Sequence, residues 1–172
     1  MGEPVTGAYL PALRFLDARR GEAALDFVGG ELWVCFRHPD GQFVTERKAT
    51  PQEVKDLLFS WYVDMNVRSN GVVLSKNNAT IGVGTGQQDR VTAVRLALEK
   101  AAMRGHSDEV PGSVLASDGF FPFRDSIDLL AEHGVTACVQ PGGSVKDKEV
   151  IEACNENGIA MAFTDERCFR HF

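Results

Sequence analysis

A layered α/β/α domain with a mixed, partly parallel sheet is the fold this sequence predicts, and three observations predict it. Short apolar strands alternate with helices through the last third of the chain, the order expected when helices cover both faces of a parallel sheet. Those strands (114 to 117, 135 to 139, 159 to 163) read as continuous apolar runs rather than as alternating ones, as strands buried on both sides do. Ahead of them, two β-type runs flank Asn77-Asn78, whose side chains tolerate the left-handed backbone of a tight hairpin, so antiparallel pairing joins the sheet.

Taken in order, residues 1 to 26 mix Gly, Pro, Arg and Ala around a short apolar patch and read as an irregular arm or linker, leaving 27 to 172 as one domain. The runs 32 to 36 and 43 to 46, separated by Pro39-Asp40-Gly41, suit a β-hairpin. The clearest helix runs from Thr50 to about Val67. Thr50 caps it, Pro51 takes the first helical position, and Glu53 stands three residues after Thr50 to complete a capping box. Its stripe of Val54, Leu57, Leu58, Trp61, Tyr62 and Met65 has helical spacing and the character of core. The hairpin strands 71 to 75 and 80 to 83 follow. A second helix, 89 to 103, turns Val91, Val94, Leu98 and Ala102 inward, and helices at 125 to 133 and 146 to 157 connect the final strands by right-handed crossovers.

Composition narrows the function. Eighteen Lys and Arg against 24 Asp and Glu give a net charge of −6, which disfavours a nucleic-acid partner while leaving room for a local basic pocket that holds a phosphorylated metabolite. No apolar run approaches the roughly 18 residues that span a bilayer, and Met1-Gly2-Glu3-Pro4 starts no signal peptide, so a cytoplasmic protein without a membrane partner is expected. The cysteines at 35, 138, 154 and 168 form no C-x-x-C pair and no ladder with histidine; reduced side chains, and neither zinc nor a disulfide framework, follow.

Ligands of open α/β sheets collect beyond the carboxyl ends of the strands. At those points stand three unusual segments. Gln140-Pro141-Gly142-Gly143-Ser144 allows close backbone approach to a ligand, with Ser144 able to cap the next helix, although a Gly-Gly-Ser turn is more often a plain structural connection. Asp118-Gly119-Phe120-Phe121-Pro122-Phe123-Arg124-Asp125 crowds three phenylalanines and a proline between two acids. It is either a stacking surface for a flat heterocycle, whose N–H groups the carboxylates would accept, or a hydrophobic plug. The tail from Thr164 to Phe172 offers the forked donors of Arg167 and Arg170, suited to phosphate, and His171, a residue type whose unperturbed pKa lies near neutrality. Gly82 to Arg90 is glycine-rich and opens a helix, but its G-x-G-x-G spacing is not a dinucleotide fingerprint.

Together, Ser69 to Lys76, Ile81 to Arg90, Ala116 to Asp125, Val139 to Asp147 and Phe163 to His171 resemble the consecutive signature blocks of the AICAR transformylase family, from about residue 45 onward. This resemblance implies formyl transfer from 10-formyltetrahydrofolate to the 5-amino group of the imidazole carboxamide nucleotide AICAR, in purine (IMP) biosynthesis. The implied fold is the second of two cytidine-deaminase-like subdomains, acting in an intertwined homodimer. The deaminase zinc signatures, H-x-E and P-C-x-x-C, are missing, so the likeness implies architecture and not deamination.

Carried over by motif, Asn70 resembles the amide that meets nucleotide and formyl group, and His171 the catalytic partner that helps move the amine proton. Phe120 resembles the ring packed on the imidazole. Arg167 and Phe169 resemble nucleotide-holding residues, with Arg167 toward the phosphate. Arg90, Pro122, Phe123, Asp125 and Ser144 resemble the folate side, and a potassium ion near Asp118 is a further implication. The chain departs from the family pattern at Gly119, where Ala is usual, and at Phe172, which extends past the histidine. The family's Lys-His pair belongs to the preceding subdomain, and Arg37-His38 in a turn does not replace it; the cyclohydrolase domain is absent as well. Two readings follow: half of a working transformylase whose Lys-His half lies in another chain or a longer parent, or a non-catalytic nucleotide- and folate-binding or assembly module.

Overall fold

The computed structural model describes residues 25–28, 31–34, 43–165, 167 and 168. It opens with a two-stranded antiparallel ladder, β1 (Leu25–Val28) and β2 (Glu31–Val34), Leu25 opposite Val34 and Val28 opposite Glu31. This corrects the expected hairpin: the strand at 32 to 34 pairs with the residues before it and not with 43 to 46. Residues 35–42, with Pro39-Asp40-Gly41, lie outside the described residues. Phe43 instead bridges Ala162, the Val44 amide donates to the Met161 carbonyl at 2.9 Å, and the Met161 amide donates to Thr45 Oγ1 at 2.9 Å. The reason is burial, since Phe43 sinks into the core beside Leu57, Leu58 and Trp61 and draws its segment onto the main sheet's edge.

Helix α1 (Pro51–Asp64) starts as the sequence requires. Thr50 Oγ1 accepts from the Glu53 amide at 3.3 Å while Glu53 Oε2 accepts from the Thr50 amide at 2.7 Å. Arg47 adds a fork to the same carboxylate at 2.6 and 2.9 Å. Burial alone would raise the Glu53 carboxyl's pKa, but the hydrogen bonds it accepts from Thr136, Thr50 and Arg47 bring it below its ordinary value.

Strands β3 (Val72–Lys76) and β4 (Ala79–Gly84) form the Asn77-Asn78 hairpin, both asparagines at positive φ. Helix α2 (Arg90–Met103) follows, capped by Asp89, whose side chain accepts from the Thr92 amide at 2.8 Å. Then come β5 (Val114–Ser117), α3 (Asp125–Glu132), β6 (Ala137–Gln140), α4 (Asp147–Glu156) and β7 (Ala160–Phe163). The sheet order is β4-β3-β5-β6-β7, antiparallel from β4 to β5 and parallel from β5 to β7.

Two apolar layers flank this sheet, as a three-layer α/β/α domain requires. One packs Leu57, Leu58, Trp61 and Met65 of the α1 segment on the small residues Ala116, Ala137, Ala160 and Ala162. The other packs α2, α3 and α4 on Val72, Leu74, Leu115, Cys138 and Met161. The buried face of α2 is Ala93, Val94, Ala97, Leu98 and Ala101, whereas Ala102 is exposed and Val91 half-buried. The expected face is therefore rotated toward the alanines. The cause lies on β4, where a Cβ on Gly84 would stand 1.9 Å from the Ala93 carbonyl oxygen and one on Gly82 2.2 Å from that of Ala97. Helix backbone rests directly on strand backbone there, which large side chains would prevent.

Candidate functional site

Because β3 runs antiparallel to β5, with Val72 opposite Ser117 and Gly84, the segment entering β3 and the segments leaving β4, β5, β6 and β7 all emerge at one edge of the sheet. All five motif blocks have members there, so residues far apart in sequence become neighbours.

The centre of this edge is a buried polar cluster. Arg90, 5% exposed, donates from Nη1 to the Gly71 carbonyl at 2.8 Å and to Asp118 Oδ1 at 2.5 Å, and from Nη2 to Asn70 Oδ1 at 2.9 Å. Asn70 Nδ2 donates to the Gln87 carbonyl at 2.9 Å. The Ser69 hydroxyl donates to Asp118 Oδ2, and the Asp118 amide donates to the Gly71 carbonyl at 3.2 Å. These bonds fasten the loop before β3 to the end of β5 and the start of α2.

Asp64 belongs to this cluster, and the motif reading missed it. It is fully buried in the last turn of α1, and neither carboxylate oxygen has a hydrogen-bond partner among the described residues. Burial, and then the charge of Asp118, push its carboxyl well above the usual range, with Arg90 acting in the opposite direction. A signal did exist: position 64 follows Leu57 and Trp61 at spacings of seven and three on the buried stripe, where an acid is out of place.

The aromatic loop after β5 divides its rings. Phe121 is fully buried, Phe120 half-buried, and Phe123 is 56% exposed. The Arg167 guanidinium lies over the Phe120 ring, 4.7 Å from its centroid, and the Cys168 amide donates to the Asp118 carbonyl at 3.2 Å. Thus Asn70, Arg90, Asp118, Phe120 and Arg167 share one locality. Pro122, Phe123, Asp125 and Ser144 stand on the loops leaving β5 and β6 at the same edge, Asp125 exposed at the first position of α3. Phe169 and His171 lie outside the described residues.

The loop after β6 is organised by Gln140, a second residue absent from the motif reading as a functional group. Its fully buried side chain accepts through Oε1 from the Phe121 amide at 3.3 Å and the Gly142 amide at 3.1 Å, joining the two ligand-type loops. Gly142 has φ 72°, and a Cβ there would meet the Phe163 ring at 2.6 Å. Ser144 does not cap α4 directly as expected: the helix begins at Asp147, and Ser144 Oγ accepts from the Lys146 amide at 3.1 Å within the preceding turn. The Gly143 amide takes Asp147 Oδ2 at 2.7 Å, which places the glycines a step farther from the helix.

A cavity of about 730 Å3 lies elsewhere, lined by Arg95, Leu98, Glu99, Pro111, Leu129 and His133 among others. Pro111 precedes β5 and His133 precedes β6, so it opens at the opposite end of the strands from the polar cluster. Its size alone does not make it the reactive site, because none of the motif residues reaches it. Among the described residues no group of three or more His, Cys, Asp or Glu is placed to hold a metal ion, and no helix is long and apolar enough to cross a membrane.

Comparison with known proteins agrees with the motif blocks. Residues 34–100 match the model of the AICARFT/IMPCHase bienzyme family. The bifunctional purine biosynthesis protein PurH of Aquifex aeolicus is 52% identical over 130 residues, 76% of this chain and 25% of that protein. PurH of Persephonella marina is 53% identical over 128 residues, 74% of this chain and 24% of that protein. Among solved structures, the dCMP deaminase from the cyanophage S-TIM5 is 18% identical with a TM-score of 0.45, covering 66% of this chain and 98% of that one, a likeness that says nothing about chemistry. On the strength of the sequence relationship, this chain belongs to the AICARFT/IMPCHase bienzyme family and spans about a quarter of the length of the relatives it matches.

Proposed function

We propose that this chain forms part of a site that transfers the formyl group of 10-formyltetrahydrofolate to the 5-amino group of AICAR, in purine biosynthesis. The observation that carries the reading is the convergence of Asn70, Arg90, Asp118, Phe120 and Arg167 at one sheet edge, from blocks that resemble those of the transformylase. In this reaction the amine nitrogen bonds to the formyl carbon, the bond from that carbon to N10 of the folate breaks, the amine loses a proton and N10 gains one. The amine is a weak nucleophile because ring and carboxamide withdraw its lone pair, so orientation and stabilisation of the oxyanion carry much of the barrier.

Asn70 donates a hydrogen bond to the formyl oxygen, and Phe120 stacks on the imidazole. Arg167 and Phe169 hold the nucleotide, Arg167 at its phosphate, while His171 positions the amine or takes its proton. Pro122, Phe123, Asp125 and Ser144 form the folate side, with Arg90 at the start of α2. The Lys-His pair is supplied by a segment outside this one, in a cytoplasmic homodimer of the family type. A potassium ion fits the chemistry of the cluster, since Asp64, Asp118 and Ser69 offer hard oxygen donors and both Asp64 oxygens are buried without a hydrogen-bond partner among the described residues. When bound, it supplies positive charge to a carboxylate pair that has one guanidinium.

The test mixes this chain with a segment carrying the Lys-His pair and follows formyl transfer, alongside calorimetry with AICAR and a folate analogue. Transfer by the mixture and by neither part alone is expected. The second reading, a non-catalytic nucleotide- and folate-binding module, predicts binding without transfer. Absence of binding to either ligand would sink both.

A further inference from the structure

Asn70 has only one orientation available to its side-chain amide, and Arg90 is the reason. A guanidinium carries donors and no acceptor, whereas a peptide carbonyl only accepts. Asn70 Oδ1 faces Arg90 Nη2 at 2.9 Å, and Nδ2 faces the Gln87 carbonyl at 2.9 Å. Turning the amide by half a revolution would set its NH2 against the guanidinium and its oxygen against a carbonyl, losing two hydrogen bonds and creating two repulsive contacts. The guanidinium is itself fixed, because Nη1 is held by the Gly71 carbonyl at 2.8 Å and by Asp118 at 2.5 Å, and the whole residue is 5% exposed.

The second hydrogen on Nδ2 has no acceptor among the described residues, and Asn70 is only half-buried. The hydrogen left over on Nδ2 is therefore a donor held in one direction, because the Oδ1 end of the amide is turned toward Arg90. We infer that Arg90 is a positioning residue for the proposed reaction, locking the Asn70 amide so that its free N–H serves a carbonyl-type oxygen: the formyl oxygen and the oxyanion that develops from it. This rests on the formyl-transfer reading above. It gives Arg90 a role that acts through Asn70, distinct from any direct contact of its own with folate or nucleotide.

Arg90→Lys separates this role from a merely structural one. A single ammonium can keep the ion pair with Asp118 and the bond to Gly71, but it lacks the second arm that reaches Asn70. In the ligand-free chain, the signal of the Asn70 side-chain proton bonded to the Gln87 carbonyl, assigned by its loss in Asn70→Ala, is expected to be protected from solvent exchange in the wild type. Its protection falls in Arg90→Lys, where the amide is free to turn, with the melting temperature nearly unchanged. With the Lys-His-bearing segment added, kcat for formyl transfer is expected to fall about tenfold, the loss of one hydrogen bond to a developing charge, while KM for AICAR stays near wild type. The double variant Asn70→Ala/Arg90→Lys should be no slower than Asn70→Ala alone.

Asn70→Asp supplies a second check that does not depend on how Arg90→Lys folds. Its carboxylate still accepts from Arg90 but offers no donor, so turnover is expected at or below that of Asn70→Ala. Wild-type turnover in Asn70→Asp, unchanged protection of that proton in Arg90→Lys, or losses that multiply in the double variant each overturn the inference while leaving formyl transfer standing. No transfer by the wild-type mixture removes the reading beneath it, and the inference with it.

Discussion

Asp64 and Asp118 approach the α-carbon of Gly71 together: a Cβ placed there would be 2.9 Å from Asp64 Oδ1 and 3.2 Å from Asp118 Oδ2. Two buried carboxylates thus share the neighbourhood of one guanidinium, and that guanidinium bonds only Asp118 of the two. Asp64 is the one of the two that accepts no hydrogen bond among the described residues.

The consequence is a pH dependence of defined sign. Burial and the neighbouring Asp118 raise the Asp64 carboxyl in the folded protein, so the native state retains a proton that the unfolded chain releases. Asp64's contribution to stability therefore declines as pH rises through the unfolded carboxylate range, about 4, and levels off above the raised native value. Asp64→Asn removes the titration and can donate to Asp118. In buffer free of alkali cations, we expect its melting temperature at neutral pH to exceed wild type by about 3 °C, the shift that ~1 kcal/mol gives in a chain of this size. The gain should shrink toward pH 4; a constant gain across that range would contradict the argument.

The contact of α2 with β4 predicts unequal costs for glycine replacements. Gly84→Ala would drive a methyl into the Ala93 carbonyl oxygen, 1.9 Å from the ideal Cβ position, and neither backbone has a free direction in which to move. A loss of roughly 3 kcal/mol or more by denaturant titration is expected. Gly86→Ala meets open space and has only its positive φ of 67° to overcome, so about 1 kcal/mol is expected there. Equal losses at the two positions would show that steric contact is not the deciding factor.

Gln140 offers a test of the two loops it joins. Gln140→Leu keeps much of the side chain's bulk but strips the Phe121 and Gly142 amides of their shared acceptor inside a dry region. Two orphaned donors should cost about 2 kcal/mol or more of stability. Hydrogen exchange at Phe121 and Gly142 should accelerate more than exchange in β3. Uniform acceleration across the sheet would argue for a general loss of packing instead.

Arg167 lies over Phe120, and the proposed function puts its charge at the nucleotide phosphate. Arg167→Ala is expected to weaken AICAR binding about tenfold in calorimetry, with less effect on the corresponding nucleoside. The difference between nucleotide and nucleoside should narrow as salt is raised. An equal loss for both ligands would assign Arg167 to the ring of Phe120 alone.

Local rules made parts of this molecule readable. The Thr50 cap and Glu53 box start α1 where the letters place it, and Asn77-Asn78 turns the hairpin as such residues do, because both interactions lie within a few residues of chain. The alternation of apolar strands with helices in the last third likewise required a covered parallel sheet. Phe43 was harder. Its partner Ala162 is 119 positions away, so neighbouring turn signals favoured a local hairpin that core burial overruled. The inward face of α2 keeps Val94 and Leu98 but turns toward Ala93, Ala97 and Ala101, because a periodicity built on large residues is blind to alanines seated on glycine.

From the sequence alone come the βα alternation, the caps and turns, the family blocks and the types of side chain available for chemistry, since each depends on residue identity or on spacing along the chain. Tertiary structure alone decided that Arg90 would fix the Asn70 amide, that Gln140 would join two loops, and that the Asp64 carboxyl would lie buried beside Asp118. Those outcomes depend on donor and acceptor geometry across strands whose relative placement the sheet order sets, and on burial that removes water as an alternative partner.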